Sequence, residues 1–313
     1  MMRNSTIDRR RLLKGAALAG AAAAAPTIAS QSASAQENDP GVVPLKLPPQ
    51  VPQKEGFLDV GDGHAIWYFD TGGNGVPVIF LHPGTGSGVI WGYQQPVFVQ
   101  AGYRVIGYSR RGYPKSKLGN PDQPGVASED LRKLADHLGL TRFHLVGTAA
   151  GGMVAADFAI SHEDRLHTLV LANTVMGIVD ADFQAISPRM WPEEFQHLPS
   201  EMKELGPSYR HLDVEGTKLW VEHEQARKGV TMKSTAYANK VNWAAIGAWR
   251  LPVMVMTGDA DLYMPPSVMR LFHSKIRGAE MHIIPDSGHS AYWERPLAFN
   301  KVVLNFLKRH GPA

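Results

Sequence analysis

Four short stretches of this 313-residue chain carry residue types that act on carbonyl groups, and they follow one another in a definite order. "VIFLHPGTGSG" ends an apolar run at His82 and enters a glycine-rich loop containing Gly84. "HLVGTAAGGMVA", from His144 to Ala155, sets Gly147 and Gly151 on either side of position 149. That is the G-x-S-x-G spacing of a sharp strand-to-helix turn that lifts one side chain clear of a sheet. "MVMTGDADLYMPP" carries Asp259 and Asp261, and "IIPDSGHSAYWERP" carries His289. Acyl transfer needs an imidazole, a carboxylate that fixes its tautomer, and two backbone N–H groups aimed at the developing oxyanion. His289, Asp261, Gly84 and Ala150 suit those roles in turn. The nucleophile position holds Ala149, whose methyl has no lone pair, so no covalent acyl or alkyl intermediate can form there. Thr148 offers no substitute, because the residue before the lifted position points to the other side of the strand.

Each stretch has an ordinary reading when taken alone. A glycine pair also serves helix-to-strand packing, a glycine-rich loop can be a tight turn, and a histidine after "DSG" can be a loop residue with a local hydrogen bond. Four such features in functional order argue for one site.

The elements that must hold these residues are legible from patterning. "AIWYFDT", "VPVIFLHP", "YRVIGYS", "FHLVGTA", "HTLVLANT", "LPVMVMTG" and "AEMHIIPD" are rich in β-branched and aromatic residues and end near Gly, Pro, Asp or Asn. Several are apolar almost throughout, as strands covered on both faces must be. Between them the pattern predicts helices over about 91–100, 128–138 with Ser128 as N-cap, 150–161, 266–276 and 296–309. Alternating strands and helices predict an α/β fold, a mostly parallel sheet with helices on both faces. Residues 176–248 break the rhythm. They have no strong strand signal but carry Trp191, Phe195, Met202, Tyr209, Trp220, Tyr237 and Trp243 in short amphipathic pieces. They read as a helical cap inserted over the sheet's carboxyl edge, between core segments 56–175 and 249–313. Most of its aromatics have core packing as their alternative role.

The N-terminal residues read as an address. Arg9, Arg10, Arg11 and Lys14 precede an alanine-rich run and then Ala33-Ser34-Ala35, a small-residue cleavage site. Residues 1–35 are therefore expected to be a signal peptide that directs the protein to the periplasm or beyond, and the Pro-rich residues 36–55 a linker or surface arm. The apolar run is broken by Pro26 and is shorter than the roughly 20 residues of a membrane span, so no stable anchor is expected after cleavage. The leader holds five of the 32 Lys and Arg residues and one of the 29 Asp and Glu residues. What remains is 27 against 28, so the pI of about 9.0 belongs largely to the leader and gives no argument for a nucleic-acid partner. There is no cysteine, which excludes thiol nucleophiles and thiolate metal sites. Neither a P-loop, a dinucleotide fingerprint nor H-E-x-x-H occurs, so no cofactor or metal is expected.

From about Gly56 onward the sequence resembles the α/β-hydrolase family. The elbow around Ala149 carries the likeness, together with "YSRRGYPKS" after an early strand, Asp261 followed by Pro265, and "PDSGHSAYWERP" leading into the last helix. The leader similarly resembles a twin-arginine signal through Arg9-Arg10 and Leu12-Leu13-Lys14, a pathway that exports folded proteins. The family resemblance implies Asp261 as the acid and His289 as the base. Two departures stand out: Pro83 where the family has glycine, and Ala149 where it has Ser, Cys or Asp. Three readings follow. The chain is an enzyme acting on a small carbonyl compound (ester, lactone or carbon acid) through the His289–Asp261 base and the oxyanion hole. Otherwise it is an ordinary serine esterase or lactonase in which Ala149 replaces the serine, or a ligand-binding homologue without catalysis. Arg111, Tyr113, Tyr292 and Trp293 are candidates for the pocket mouth, with structural roles as the alternative.

Overall fold

The computed structural model describes residues 40–227 and 232–312. The expected signal peptide, residues 1–35, and the first residues of the expected arm lie outside the described residues. Among the described residues, no helix is long and apolar enough to cross a membrane.

Eight strands form one sheet: β1 Lys54–Gly61, β2 His64–Asp70, β3 Pro77–Leu81, β4 Arg104–Tyr108, β5 Phe143–Thr148, β6 Leu166–Ala172, β7 Val253–Gly258 and β8 Glu280–Ile284. Their spatial order is β1-β2-β4-β3-β5-β6-β7-β8. β2 runs antiparallel to both β1 and β4, and every pairing from β4 to β8 is parallel. Twelve helices are described: α1 Gln95–Gln100, α2 Ala127–His137, α3 Ala150–Ser161, α4 Ala181–Met190, α5 Glu193–His197, α6 Ser200–Glu204, α7 Pro207–Leu212, α8 Val214–Gln225, α9 Trp243–Gly247, α10 Pro266–Lys275, α11 Ala291–Glu294 and α12 Pro296–His310. The chain is an α/β fold with a mostly parallel sheet.

Period-two alternation divides the core into two layers. Ile79, Leu81, Leu145, Leu169, Leu171 and Val255 pack with residues of α2, α3 and α10. Val78, Phe80, Val146, Val170 and Met256 pack on the other face with residues of α1 and α12. Both faces being covered explains why these strands read as unbroken apolar runs.

Two local expectations are corrected. The surface arm was expected to reach residue 55, but β1 begins at Lys54 and forms a hairpin with β2 around Asp62-Gly63. β1 is an edge strand with a half-exposed Phe57, so its sequence shows little apolar alternation. The hairpin signal was the Asp-Gly pair, which adopts the positive φ values of 54° and 76° that such turns need. Ser128 is not the N-cap either: α2 starts at Ala127 after Val126. The Ser128 hydroxyl donates instead to Asp157 Oδ2 at 2.5 Å, a stronger acceptor than the backbone of its own helix.

The direction of winding reverses between β3 and β5. The chain leaves β3 toward β4 on one side and leaves β5 toward β6 on the other, so the two connecting loops diverge. In parallel α/β sheets the crevice outside the carboxyl ends at such a point is where ligands bind. Gly84 and Ala149 flank this crevice.

Candidate active site

The turn after β5 is held from every side. Ala149 has φ 48° and ψ −117°, left-handed backbone that a residue with a Cβ seldom adopts. Its N–H donates to Ala172 O at 3.0 Å, and its carbonyl accepts the Thr174 hydroxyl at 2.7 Å. A Cβ on Gly151 would lie 2.3 Å from Leu81 O, and one on Gly147 would lie 2.7 Å from Gly151 O. The two glycines that flank position 149 are thus demanded by the closeness of the α3 start to β5 and to β3. Thr148 is fully buried on the opposite side, and its hydroxyl has no partner among the described residues.

The loop after β3 approaches the same turn. A Cβ on Gly84 would lie 3.8 Å from Ala150 Cβ. Neither the Gly84 nor the Ala150 amide has an acceptor among the described residues, so both are free to donate. Pro83 does not loosen the loop. Its carbonyl accepts from His82 Nδ1 at 2.7 Å and from Arg110 Nη2 at 2.9 Å, while His82 Nε2 accepts the Arg110 amide at 3.1 Å. Burial, with Arg110 beside it, holds the His82 pKa well below its ordinary value, which keeps the neutral imidazole that this bonding requires.

Asp261 and His289 meet beyond β7 and β8. His289 Nδ1 lies 2.9 Å from both carboxylate oxygens of Asp261. Asp261 is 2% exposed and accepts from Asn173 Nδ2, the Thr257 hydroxyl, and the amides of Tyr263 and Met264 at 2.8–3.0 Å. Burial disfavours its charge, but the imidazole and these donors outweigh burial and hold its pKa below the ordinary value. For His289 burial again opposes charge, yet Asp261 and, further off, Glu204 and Glu294 raise its pKa to about 9. Nδ1 is thereby fixed as the proton donor to Asp261, and Nε2 is left without a partner among the described residues. Asp259, the other carboxylate of the motif, is exposed and among the described residues accepts only from the Ser287 amide at 3.4 Å.

Asn173 links the two halves of the site. Its backbone is left-handed, with φ 50°, its amide group bonds both Asp261 and Gly288 O, and its neighbour Thr174 bonds Ala149 O. The chain ends of β5, β6, β7 and β8 thus bring Ala149, Asp261 and His289 to one edge of the sheet.

Two buried glutamates escape sequence reasoning. Glu294 accepts from the amides of Gly206, Gly288 and Ser290 at 2.7, 3.0 and 3.1 Å, clamping the 204–206 segment to the histidine loop. Burial raises its pKa to about 7 against the pull of these amides. Glu204, at the end of α6, accepts the His289 amide through its carbonyl at 2.6 Å. Its carboxylate receives the Thr85 hydroxyl at 3.4 Å, one residue past Gly84. Nothing in "SEMKELGPSYR" distinguishes Glu204 from the neighbouring acids of a solvated helix face.

Of the four residues considered for the pocket mouth, three are structural. Arg111 is buried on Asp130 with bonds of 2.7 and 2.8 Å, and Tyr292 and Trp293 are each 1% exposed in the core. Tyr113 stays near the site, its ring 4.4 Å from that of His82 and 4.7 Å from the guanidinium groups of Arg110 and Arg227. Within the insertion, Trp191 and Phe195 lie 6.2 and 5.0 Å from the Tyr263 ring, which is 4.5 Å from the His289 ring. That row of rings makes an apolar wall beside the imidazole. Among the described residues, no group of three or more His, Asp or Glu is placed to hold a metal ion.

A sheet edge bearing an elbow, two free amides and an Asp–His pair defines a hydrolase-type α/β protein. The family description "alpha/beta hydrolase family" matches residues 78–302, and the chain belongs to that family. A relative named 2-hydroxy-6-oxononadienedioate/2-hydroxy-6-oxononatrienedioate hydrolase, from Escherichia coli O139:H28 (strain E24377A / ETEC), is 26% identical over 287 residues, spanning 81% of this chain and 95% of that protein. Among solved structures, a bromoperoxidase from Bacillus anthracis superposes with a TM-score of 0.66 at 24% identity, covering 82% of this chain and all of its own, 100%. An enol-lactonase from Burkholderia xenovorans LB400 gives a TM-score of 0.63 at 20% identity over 81% of this chain and 100% of its own. The structural likenesses establish the shared fold.

Proposed function

We propose that this protein is an exported hydrolase that adds water to a small, partly apolar ester or lactone without a covalent enzyme intermediate. The observation that carries the reading is the complete Asp261–His289 pair beside the free Gly84 and Ala150 amides, at a turn that keeps its nucleophile geometry around a methyl group. In this reading the substrate carbonyl oxygen sits between the two amides. The attacking water takes the space above the Ala149 methyl that a hydroxyl would fill. His289 manages the protons through Nε2, and Asp261 fixes its tautomer and charge. A relative named as a hydrolase of an oxo-dienedioate and a structural neighbour named enol-lactonase support a small carbonyl substrate. The wall of Trp191, Phe195 and Tyr263 suits an apolar portion of that substrate. An oxyanion hole and binding alone give about 10³–10⁴-fold over water, which sets the scale of rate expected.

The test compares the mature protein with Ala149→Ser and His289→Ala on a panel of aryl esters and lactones. Turnover by the parent without a pre-steady-state burst or covalent adduct, abolished by His289→Ala, supports the reading. Activity confined to Ala149→Ser overturns it and marks the parent as disarmed. Ligands that raise the melting temperature without any turnover point to a binding protein instead. Export is checked by the mass of the mature chain, expected to begin at Gln36, and by its loss from the periplasm when Arg9 and Arg10 are both replaced by Lys.

A further inference from the structure

Glu204 is 7% exposed, and among the described residues the fold gives one of its carboxylate oxygens no partner. Oε2 receives the Thr85 hydroxyl, whereas Oε1 has no partner among the described residues. Oε1 is not sealed off from open space either. A carboxylate in this state is costly unless it serves chemistry or is matched by a nearby cation.

The backbone around Glu204 fixes its place tightly. Its carbonyl takes the His289 amide, and Glu294 binds Gly206 and Gly288 together. A Cβ on Gly288 would lie 2.5 Å from Gly206 N and 2.7 Å from Glu204 O, so the insertion and the histidine loop touch main chain to main chain. On its other side Thr85 adjoins the Gly84 amide. The carboxylate therefore stands between the oxyanion loop and the histidine loop, the two structures that confront a bound carbonyl.

Resting on the hydrolytic reading above, we infer that Glu204 is a second acid–base group of the site, taking the proton of the attacking water while the His289 imidazolium supplies the proton for the departing oxygen. The steps balance. The water oxygen bonds to the carbonyl carbon, one O–H bond of the water breaks toward Glu204, and the carbonyl π pair moves onto the oxygen held by Gly84 and Ala150. The C–O bond to the leaving group then breaks, and that oxygen takes the Nε2 proton. Return of the Glu204 proton to His289 restores the starting state. The groups that face Glu204 set its charge: burial is the strongest and leaves its pKa above the ordinary value, His289, the Thr85 hydroxyl and Lys203 lower it, and Asp261 raises it. Tyr263 and Tyr292 feel its charge from the neighbouring elements, and Glu294 stands behind His289. An imidazole held protonated at neutral pH suits the acid, which leaves the base to the carboxylate.

The experiment is a pH–rate profile of the parent, Glu204→Gln, Glu204→Asp and His289→Ala on one lactone. The parent should show a plateau near neutral pH that falls in the alkaline range as His289 loses its proton. Glu204→Gln should lose about 10²–10³-fold in kcat at neutral pH and recover only as the pH rises and neutral His289 becomes the base. Glu204→Asp should keep part of the plateau. Urea unfolding of each variant separates loss of folding from loss of chemistry, and the parent's profile alone is informative where a variant does not fold. A parent rate that climbs through about pH 9, with Glu204→Gln unchanged at neutral pH, overturns the inference while leaving His289-dependent hydrolysis intact. A parent rate insensitive to His289→Ala overturns the hydrolytic reading itself.

Discussion

The His289 imidazole should make this fold less stable as the solution turns alkaline, by an amount that follows from its surroundings. Its pKa rises from 6.5 to about 9 on folding, because Asp261 and the more distant glutamates outweigh the burial that opposes its charge. The folded state therefore holds this proton more tightly than the unfolded chain. Below 6.5 both states are protonated and the full stabilisation is present; it is lost as the pH rises through the folded value of about 9. At about 1.4 kcal/mol per pH unit, the loss is about 3 kcal/mol. The assay is urea unfolding of the parent and His289→Gln at about pH 6 and about pH 10, taking the difference in unfolding free energy at each pH so that other titrating groups cancel. The difference should shrink by about 3 kcal/mol between the two conditions. A difference constant to within about 1 kcal/mol would refute the reasoning. It would mean that His289 is neutral in the folded protein, and the assignment of the imidazolium as the acid would fall with it.

Three further outcomes follow from the same geometry. Asp261→Asn removes the charge that holds the imidazolium, so the alkaline limb of stability should move down toward 6.5 and kcat/KM should drop about 10²–10⁴-fold. Glu294→Ala leaves the Gly206, Gly288 and Ser290 amides without their acceptor. At about 1–3 kcal/mol for each buried donor, a loss of at least about 3 kcal/mol is expected in chemical denaturation, together with lower activity as the histidine loop loosens. Ala149→Gly relieves a left-handed residue of its Cβ and should hold or raise the melting temperature, whereas Ala155→Gly, buried within α3, should lower it.

The sheet was legible because its strands are covered on both faces. "VIFL" and "VMVM" have no polar side that could have hidden them, and seven of the eight strands follow from runs rich in β-branched and aromatic residues. β1 did not, because "KEGFLDVG" opens on two charges and is mostly exposed or half-buried, so it carries little apolar signal. Ala149, Asp261 and His289 announced themselves through glycine spacing and the chain order of strand ends. Asn173, Glu204 and Glu294 could not. Each works by reaching across the fold, as Asn173 does to Asp261 over 88 positions and Glu294 to Gly206 over the same separation. Only the three-dimensional path of the chain assigns such partners. Local context also misled at Ser128, where the tertiary acceptor Asp157 took the hydroxyl expected to cap the helix.

The strained turn at Ala149 has a consequence for what the site is built to do. In a serine hydrolase the left-handed residue is explained by the need to present a nucleophile. Here the residue presents a methyl group, yet its conformation is held by Ala172, Thr174 and the tight seat of Gly151 on Leu81. Such a backbone costs of order 1–3 kcal/mol, and what it yields in the absence of a nucleophile is the aim of the next amide, Ala150, toward the crevice it shares with Gly84. What the turn holds in place is therefore a pair of free amides beside one crevice, which the proposed function uses as donors for charge on oxygen. In the proposed mechanism the imidazolium of His289 and the carboxylate of Glu204 move protons on both sides of an oxyanion held by these donors. These are the two operations that direct attack by water requires and that a ligand-binding pocket does not.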